Sequence, residues 1–150
     1  MLALAGCGHE PRVSNDDVFV SNEGTNAVAV VDGATGTLEG QLATGPRPRG
    51  MALSADAKRL FITASNADRI EVWDVATRRK MREIASGPDP ERFVISPDGR
   101  TLYVASENDA LISFFDVASG RVTRQVKVGA EPEGIGISPG GGPRDRAAAG

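Results

Sequence analysis

The chain repeats one pattern of residues every 42 positions, three times and with no insertion. Aspartate, glycine, proline and serine keep this spacing at Asp32, Asp74 and Asp116; Gly45, Gly87 and Gly129; Pro48, Pro90 and Pro132; Ser54, Ser96 and Ser138. Each unit holds four short apolar runs separated by turn residues. A unit this small cannot bury its own apolar surface, so neighbouring units must pack against one another.

The clearest unit begins with a predicted strand at Arg92–Ile95 and a turn at Ser96–Gly99. Three more strands follow at Thr101–Ala105, Leu111–Val117 and Val122–Val128. The earlier units predict strands at Leu60–Ala64, Ile70–Val75 and Met81–Ala85, and at Val18–Ser21, Ala27–Val31 and Leu38–Ala43. Four antiparallel strands in about forty residues are typical of a β-propeller blade. We therefore predict an all-β fold of about three four-stranded blades over residues 17–139.

Adjacent apolar positions in Val28–Val31 and Ile112–Phe115 predict strands that are covered on both faces. Trp73 and Tyr103 are interpreted as residues that pack between blades. Asp32, Asp74 and Asp116 each end a strand, where a carboxylate can accept N–H groups of the turn it opens. Because each stands alone on its own turn, the three do not predict a calcium site, and no metal site is predicted.

Composition excludes some functions. The chain has 150 residues, of which 40% are apolar and 25% charged, and a formal charge of −3. This balance gives no basic surface for nucleic acid, and no apolar run reaches the roughly 18 residues of a membrane-spanning helix.

The N-terminus predicts export. Leu4-Ala5-Gly6-Cys7 resembles a bacterial lipobox, so residues 1–7 are interpreted as part of a lipoprotein signal peptide and Cys7 as the lipidated residue. A periplasmic protein, bound to a membrane only through its lipid, would result. The apolar run is shorter than the roughly 7–15 residues of a signal and has no basic residue before it, so an N-terminal cysteine with no such role is the alternative. Residues 8–16 are predicted to be a flexible tether.

Three segments resemble a known signature. Phe19–Asn22, Phe61–Ala64 and Leu102–Ala105 are similar to the Tyr-Val-Thr-Asn motif of the YVTN β-propeller proteins, which carry WD40-like repeats. Within that family, Ala105–Asn108 followed by Asp116–Val122 resembles propeller proteins encoded beside PQQ-dependent catabolic dehydrogenases. The tryptophan of the dehydrogenases' own docking motif is absent after Asp32–Gly36, so the resemblance implies an accessory protein that holds no cofactor.

The same resemblance implies about seven blades, whereas the repeats here give about three. The pattern starts at the second strand of a blade and ends on a first strand at Gly134–Ser138. Either the chain is a fragment of a longer propeller or two copies assemble, and we favour the fragment because stacked repeats normally need capping units. Residues 140–150 lose the pattern and predict a disordered or out-of-frame tail.

The strand order of WD-type repeats makes Arg49–Leu53, Arg92–Ile95 and Gly134–Ile137 the innermost strands. Loops that enter them share one face with the hairpin turns of each blade. Nine polar residues then surround the mouth of the central channel and form the candidate ligand site: Arg47, Arg49, Glu91, Arg92, Glu131, Glu133, Asn22, Asn66 and Asn108. The alternative is that these are solvated surface charges.

The residue types present in the blades argue against a catalytic role for them. The single histidine, His9, and the single cysteine, Cys7, precede the repeats, which leaves the blades without an imidazole or a thiol. We therefore predict a non-catalytic envelope scaffold that binds a protein or small ligand on one face. The alternative is a fragment of a lactonase-like or oxidoreductase-associated enzyme whose catalytic residues lie in other blades. A third reading is a degraded gene whose product does not fold stably.

Overall fold

The computed structural model describes residues 16–138, which form three antiparallel sheets. The strands are β1 (Asp17–Asn22), β2 (Ala27–Asp32), β3 (Leu38–Ala43), β4 (Pro48–Leu53), β5 (Arg59–Ala64), β6 (Arg69–Asp74), β7 (Arg79–Ala85), β8 (Pro90–Ile95), β9 (Thr101–Ser106), β10 (Leu111–Asp116) and β11 (Val122–Lys127), with a short 3-10 helix at Ser65–Ala67. Within residues 16–138, no helix has the length and apolarity to cross a membrane. The predicted signal and Cys7, most of the predicted tether with His9, and the tail at 140–150 lie outside this range.

Each sheet is a simple meander. The orders are β1-β2-β3, β4-β5-β6-β7 and β8-β9-β10-β11, so the first sheet has three strands and the others have four. Irregularities in strand pairing fall at Val30/Val31, Val72/Trp73 and Phe114/Phe115, again 42 residues apart. The predicted all-β architecture of propeller blades is confirmed, with strand bounds close to those expected.

Two apolar layers hold the sheets together. The layer between the first and second sheets contains Val28, Val30, Leu42, Leu60, Ile62, Trp73 and Val75. The layer between the second and third contains Phe61, Ile70, Val72, Ile84, Phe93, Leu102, Val104, Phe115 and Val117. Trp73 is therefore an inter-blade residue, as predicted. Burial of apolar side chains at this scale is the main stabilising term of the fold.

Coverage of both faces is confirmed only for the middle sheet. Five of the six residues of β5 are buried, and so are four of the six in β6. In β2 and β10 the prediction was wrong, because Val31, Ile112 and Phe114 are half-buried. Their side chains lie on the outer faces of the first and third sheets, where no further described sheet covers them. Tyr103 lies on the same outer face and contacts Phe114 edge-on, with ring centroids 4.9 Å apart.

The innermost strands approach closely. A Cβ atom on Gly50 of β4 would lie 2.8 Å from the Glu91 carbonyl oxygen of β8, so only glycine fits there. Side chains on the next strand outward strengthen the contact between blades. The Ser21 hydroxyl donates to the Arg49 carbonyl at 3.3 Å, and the hydroxyl of Thr63, 42 residues later, lies 3.4 Å from the Glu91 carbonyl.

One carboxylate is fully buried between the first and second sheets. Glu71 accepts hydrogen bonds from the Gly45 amide at 3.1 Å, the Trp73 indole at 3.0 Å, Arg69 at 3.2 Å and Lys80 at 3.3 Å. A charge removed from water is tolerated only when it is paired and hydrogen-bonded in this way. Glu71 thereby joins the loop after the first sheet to the core of the second.

The three repeated aspartates form turns as predicted. Asp32 Oδ1 accepts the Ala34 and Thr35 amides, each at 2.8 Å. Asp74 Oδ1 accepts the Thr77 amide at 2.7 Å. Asp116 repeats the arrangement one blade later. The backbone N–H and hydroxyl of Thr77 hold the pKa of Asp74 below its usual value.

The predicted first strand at Gly134–Ser138 is absent from the structure, which shows this segment without β pairing. A strand needs a neighbour that offers its backbone N–H and C=O groups. No described strand lies beside this segment in hydrogen-bonding position. The expectation was wrong for this reason, although the segment keeps the repeat spacing.

Replacement of Phe61 by alanine should lower the free energy of unfolding by about 3–5 kcal/mol, because the buried ring leaves a cavity between two sheets. Urea denaturation monitored by circular dichroism measures the loss. Met81, which is 57% exposed, supplies the control. Met81→Ala should change stability by no more than about 0.5 kcal/mol.

Asp74→Asn should reduce stability at pH 7 and flatten its dependence on pH below about 4. The folded-state pKa of Asp74 is lowered from 3.8, so its stabilisation is complete above that value and is lost as the pH falls through the folded pKa. Thermal unfolding at pH 7 and pH 3 measures the difference. Asp109→Asn, at an exposed turn residue, is the control. Equal pH profiles for parent and Asp74→Asn would refute this role.

Candidate functional site

Loops that enter the inner strands meet the hairpin turns at one end of the sheets, as predicted. The Asn108 amide donates to Asp89 at 3.0 Å, and Arg47 lies 3.7 Å from Glu23. We call this surface the channel mouth, and it comprises Glu23, Arg47, Arg49, Asp89, Glu91, Arg92, Glu107 and Glu133.

Two hydrogen bonds from backbone N–H groups to side-chain oxygens, which we call clamps, hold the backbone of the channel mouth. The Asn26 side-chain oxygen accepts the Arg47 amide at 3.0 Å, and 42 residues later Asp68 accepts the Asp89 amide at 3.1 Å. Arg47 and Asp89 have left-handed backbones, with φ of 56° and 46°. Residues other than glycine seldom adopt this backbone geometry because it is strained. The hydrogen bond from each residue's N–H group to a side chain helps to hold it. Ala110 occupies the corresponding place in the third repeat and cannot form the clamp.

Glu91 and Arg49 form the central ion pair of the mouth. Their side chains join through Oε2 and Nη1 at 2.5 Å, and the Glu91 side chain is only 4% exposed. Arg47 lies 3.6 Å from the other Glu91 oxygen, and Glu23 lies 3.4 Å from Arg49. Burial alone would lower the pKa of Arg49, but Glu91 and then Glu23 raise it overall. The predicted residues Arg47, Arg49 and Glu91 therefore form one network.

Arg92 differs from the other two arginines. It is exposed and forms no ion pair within residues 16–138. Its side chain borders a cavity of about 160 Å³ that also contacts Glu107 and Glu133, and an opening of about 320 Å³ beside Ser21 and Glu23. Arg92 is thus a cationic group of the mouth that is available to a partner.

Three carboxylates converge on the same place. Oxygen atoms of Asp89, Glu91 and Glu107 lie within 4.8 Å of one another, a spacing that a hard cation could bridge. Glu91 Oε1 is buried and accepts no hydrogen bond among the described groups. Arg47 competes for the same charge, because it lies 3.2 Å from Asp89.

The predicted asparagines have different positions. Asn108 contacts the mouth through Asp89. Asn22 instead accepts the Gly24 and Thr25 amides within its own turn, and Asn66 is exposed in the short 3-10 helix. Asn66 and Asn108 occupy the same repeat position, 42 residues apart, yet only Asn108 contacts the mouth.

The two predicted glutamates Glu131 and Glu133 also differ in position. Glu133 borders the cavity beside Arg92, whereas Glu131 is exposed on a left-handed backbone with φ of 54°. Sequence reasoning missed Glu23, Asp89 and Glu107. The repeat could have identified two of these residues, because Glu23 and Glu107 occupy the same repeat position two units apart.

Solved structures show the same fold. No protein-family model and no curated protein matches the chain. Hydrazine synthase of Kuenenia stuttgartiensis is 29% identical over 84% of this chain, with a TM-score of 0.78. The dihydro-heme d1 dehydrogenase NirN, solved in complex with DHE, is 15% identical over 74%, with a TM-score of 0.63. Both contain β-propellers, and the chain spans 37% and 24% of their respective lengths. The three sheets are therefore blades of the propeller fold.

Glu91→Gln should destabilise the protein by about 1–3 kcal/mol, because it removes the buried carboxylate that pairs with both Arg47 and Arg49 and leaves them only the more exposed Glu23 in common. The arginines are about one-third exposed, so the cost is below the roughly 3–5 kcal/mol of a fully buried pair. Urea denaturation tests this expectation. Glu107→Gln, at a mouth carboxylate without a described ion pair, should have less effect; equal effects would contradict a central role for Glu91.

Proposed function

We propose that the protein is a non-catalytic binding module of the YVTN type that docks a partner protein on the channel mouth. The observation that carries this proposal is Arg92, an exposed cation of the mouth that forms no ion pair within residues 16–138, whereas Arg47 and Arg49 both do. Inner strands hold its backbone rigidly, so little ordering is needed when a partner binds.

The charge pattern supports a protein partner. Arg92 stands beside carboxylates of Glu107 and Glu133, so the surface offers both signs of charge within one small area. Protein surfaces carry both signs as well, and complementary patterns give specificity. Arg92 borders three separate openings of about 160, 320 and 470 Å³, each in the lower half of the size range of small-molecule sites or below it. Side chains of a partner suit openings of this size.

For the compartment, we propose the periplasm, with a lipid on Cys7 that holds the protein at a membrane. Support comes from the Leu4–Cys7 sequence and from the resemblance of Ala105–Asn108 and Asp116–Val122 to propellers associated with PQQ-dependent catabolism. The proposed partner is accordingly a component of a PQQ-dependent dehydrogenase system.

Biolayer interferometry with the PQQ-dependent dehydrogenase of the same bacterium tests the proposal. We expect binding that weakens as salt rises, and a loss of about tenfold or more in affinity for Arg92→Glu, because the reversed charge would face the same partner group.

Arg79→Glu provides a charge-matched control, since Arg79 is exposed at the start of the outermost strand β7. Its affinity should stay within about twofold of the parent. Equal losses in the two variants would remove the channel mouth as the docking surface. No binding by the parent would remove the dehydrogenase as the partner.

A second candidate is a propeller of an enzyme whose catalytic residues lie in other blades, of either lactonase-like or oxidoreductase type. The similarity to hydrazine synthase, at 29% identity over 84% of this chain, favours the oxidoreductase form. Turnover of a lactone panel, and electron transfer to a redox dye, would separate this candidate from a binding module. Activity that survives Arg92→Glu would favour the enzyme.

A further inference from the structure

Three carboxylates of the channel mouth are brought together by the pairing of two strands. Asp89 and Glu91 stand on either side of Pro90, the first residue of β8, and Glu107 follows Ser106, the last residue of β9. Pro90 pairs with Ser106, so the three acidic residues surround one step of the ladder. One oxygen atom of each lies within 4.8 Å of the other two. The position of the cluster thus follows from the register of the sheet.

Glu91 contributes a buried oxygen atom that lacks a hydrogen bond. Its side chain is 4% exposed, and Oε1 accepts no hydrogen bond from the described residues. Oε2 is bound to Arg49, whereas Arg47 lies 3.6 Å from Oε1 and 3.2 Å from Asp89, so Oε1 faces Asp89. A buried carboxylate oxygen without a hydrogen bond is costly, and coordination to a cation would remove that cost.

The channel mouth carries an excess of negative charge. Its eight residues comprise five carboxylates and three arginines, which leave two negative charges uncompensated when all are ionised. Glu107 is half-buried and has no ion-pair partner between residues 16 and 138. One divalent cation beside Glu107 would balance the whole surface.

The size of the cluster suits calcium. Ca²⁺ binds oxygen atoms at about 2.3–2.6 Å in flexible geometry, so ligands on opposite sides of it lie up to about 5 Å apart. Mg²⁺ binds at about 2.0–2.1 Å in a strict octahedron, which limits this separation to about 4.2 Å. Glu91 and Glu107 also border the cavity of about 160 Å³, which has room for an ion and several water molecules.

We propose that Asp89, Glu91 and Glu107 form a calcium site at the channel mouth, with water in the remaining coordination positions. The aspartates that recur every 42 residues take no part in it. One repeat earlier, two of the three positions hold Arg47 and Arg49, so the site is a feature of the third sheet and not of every blade.

Arg47 exchanges partners when the ion binds. It now contacts Asp89 and Glu91, and its Nε lies 3.7 Å from Glu23, which keeps it once the ion takes the other two carboxylates. The Asn108 amide donates to the second oxygen of Asp89 at 3.0 Å and orients this ligand. The ion therefore replaces one cation without exposing a buried charge.

Isothermal titration calorimetry of the full chain with calcium chloride tests the site. We expect one ion per chain with a dissociation constant of about 10⁻⁴–10⁻³ M, because Arg47 competes for the same oxygen atoms. Glu107→Gln should weaken binding by about tenfold or more, since it removes a ligand. Asp109→Asn removes the same charge from an exposed position in the same turn, and its affinity should stay within about twofold of the parent.

Arg47→Gln provides a test in the opposite direction. Loss of the competing cation should tighten calcium binding by about threefold or more, which a variant that only damages the fold cannot do. Magnesium chloride should bind the parent about tenfold more weakly than calcium chloride. Weaker calcium binding by Arg47→Gln would overturn the exchange of partners.

Three results would overturn the calcium site: no heat of binding up to about 10 mM calcium, equal losses in Glu107→Gln and Asp109→Asn, or equal affinities for calcium and magnesium. The site does not depend on a partner protein at Arg92, because the titration uses this protein alone. Partner binding measured in buffer with a calcium chelator reports on Arg92 separately, so failure of one proposal is distinguishable from failure of the other.

Discussion

Face-to-face packing of apolar side chains between neighbouring sheets is the interaction on which this structure depends. Each sheet needs a neighbouring sheet to cover an apolar face, and within residues 16–138 only the middle sheet has a neighbouring sheet on both faces. This packing of the sheets brings their inner strands close together, and Gly50 leaves the space that β4 needs to lie against β8. Regular spacing in the sequence is the consequence of one interface being used repeatedly.

The charged groups of the mouth are arranged by the same packing. Inner strands bring residues 42 apart into contact, so Arg49 and Glu91 pair although they belong to different blades. Backbone clamps from Asn26 and Asp68 then set the direction of the loops. The outcome is a network in which most charges compensate one another, with Arg92 left available.

Local features could be predicted from the sequence, and partner-dependent features could not. The turn at Ser96–Gly99 and the Asp74 turn rest on nearby residues, and both follow the expectation. Pairing of Arg49 with Glu23 joins different sheets, so no local pattern reveals it. Residues 134–138 carry a strand pattern but lack a described neighbour, and pattern alone does not make a strand. The left-handed backbone at Arg47 has no signal in its residue type.

Glu71 makes the middle repeat different from the other two, which have Ala29 and Ser113 at this position. The two cations that pair with Glu71 lie on either side of it in the sequence: Arg69 precedes it and Lys80 follows it. Recombination between repeats with a breakpoint inside this stretch would separate a buried anion from part of its counter-charge. Whole repeats can be exchanged during evolution with much less harm than parts of them, so the interior itself constrains how such a gene can be rearranged.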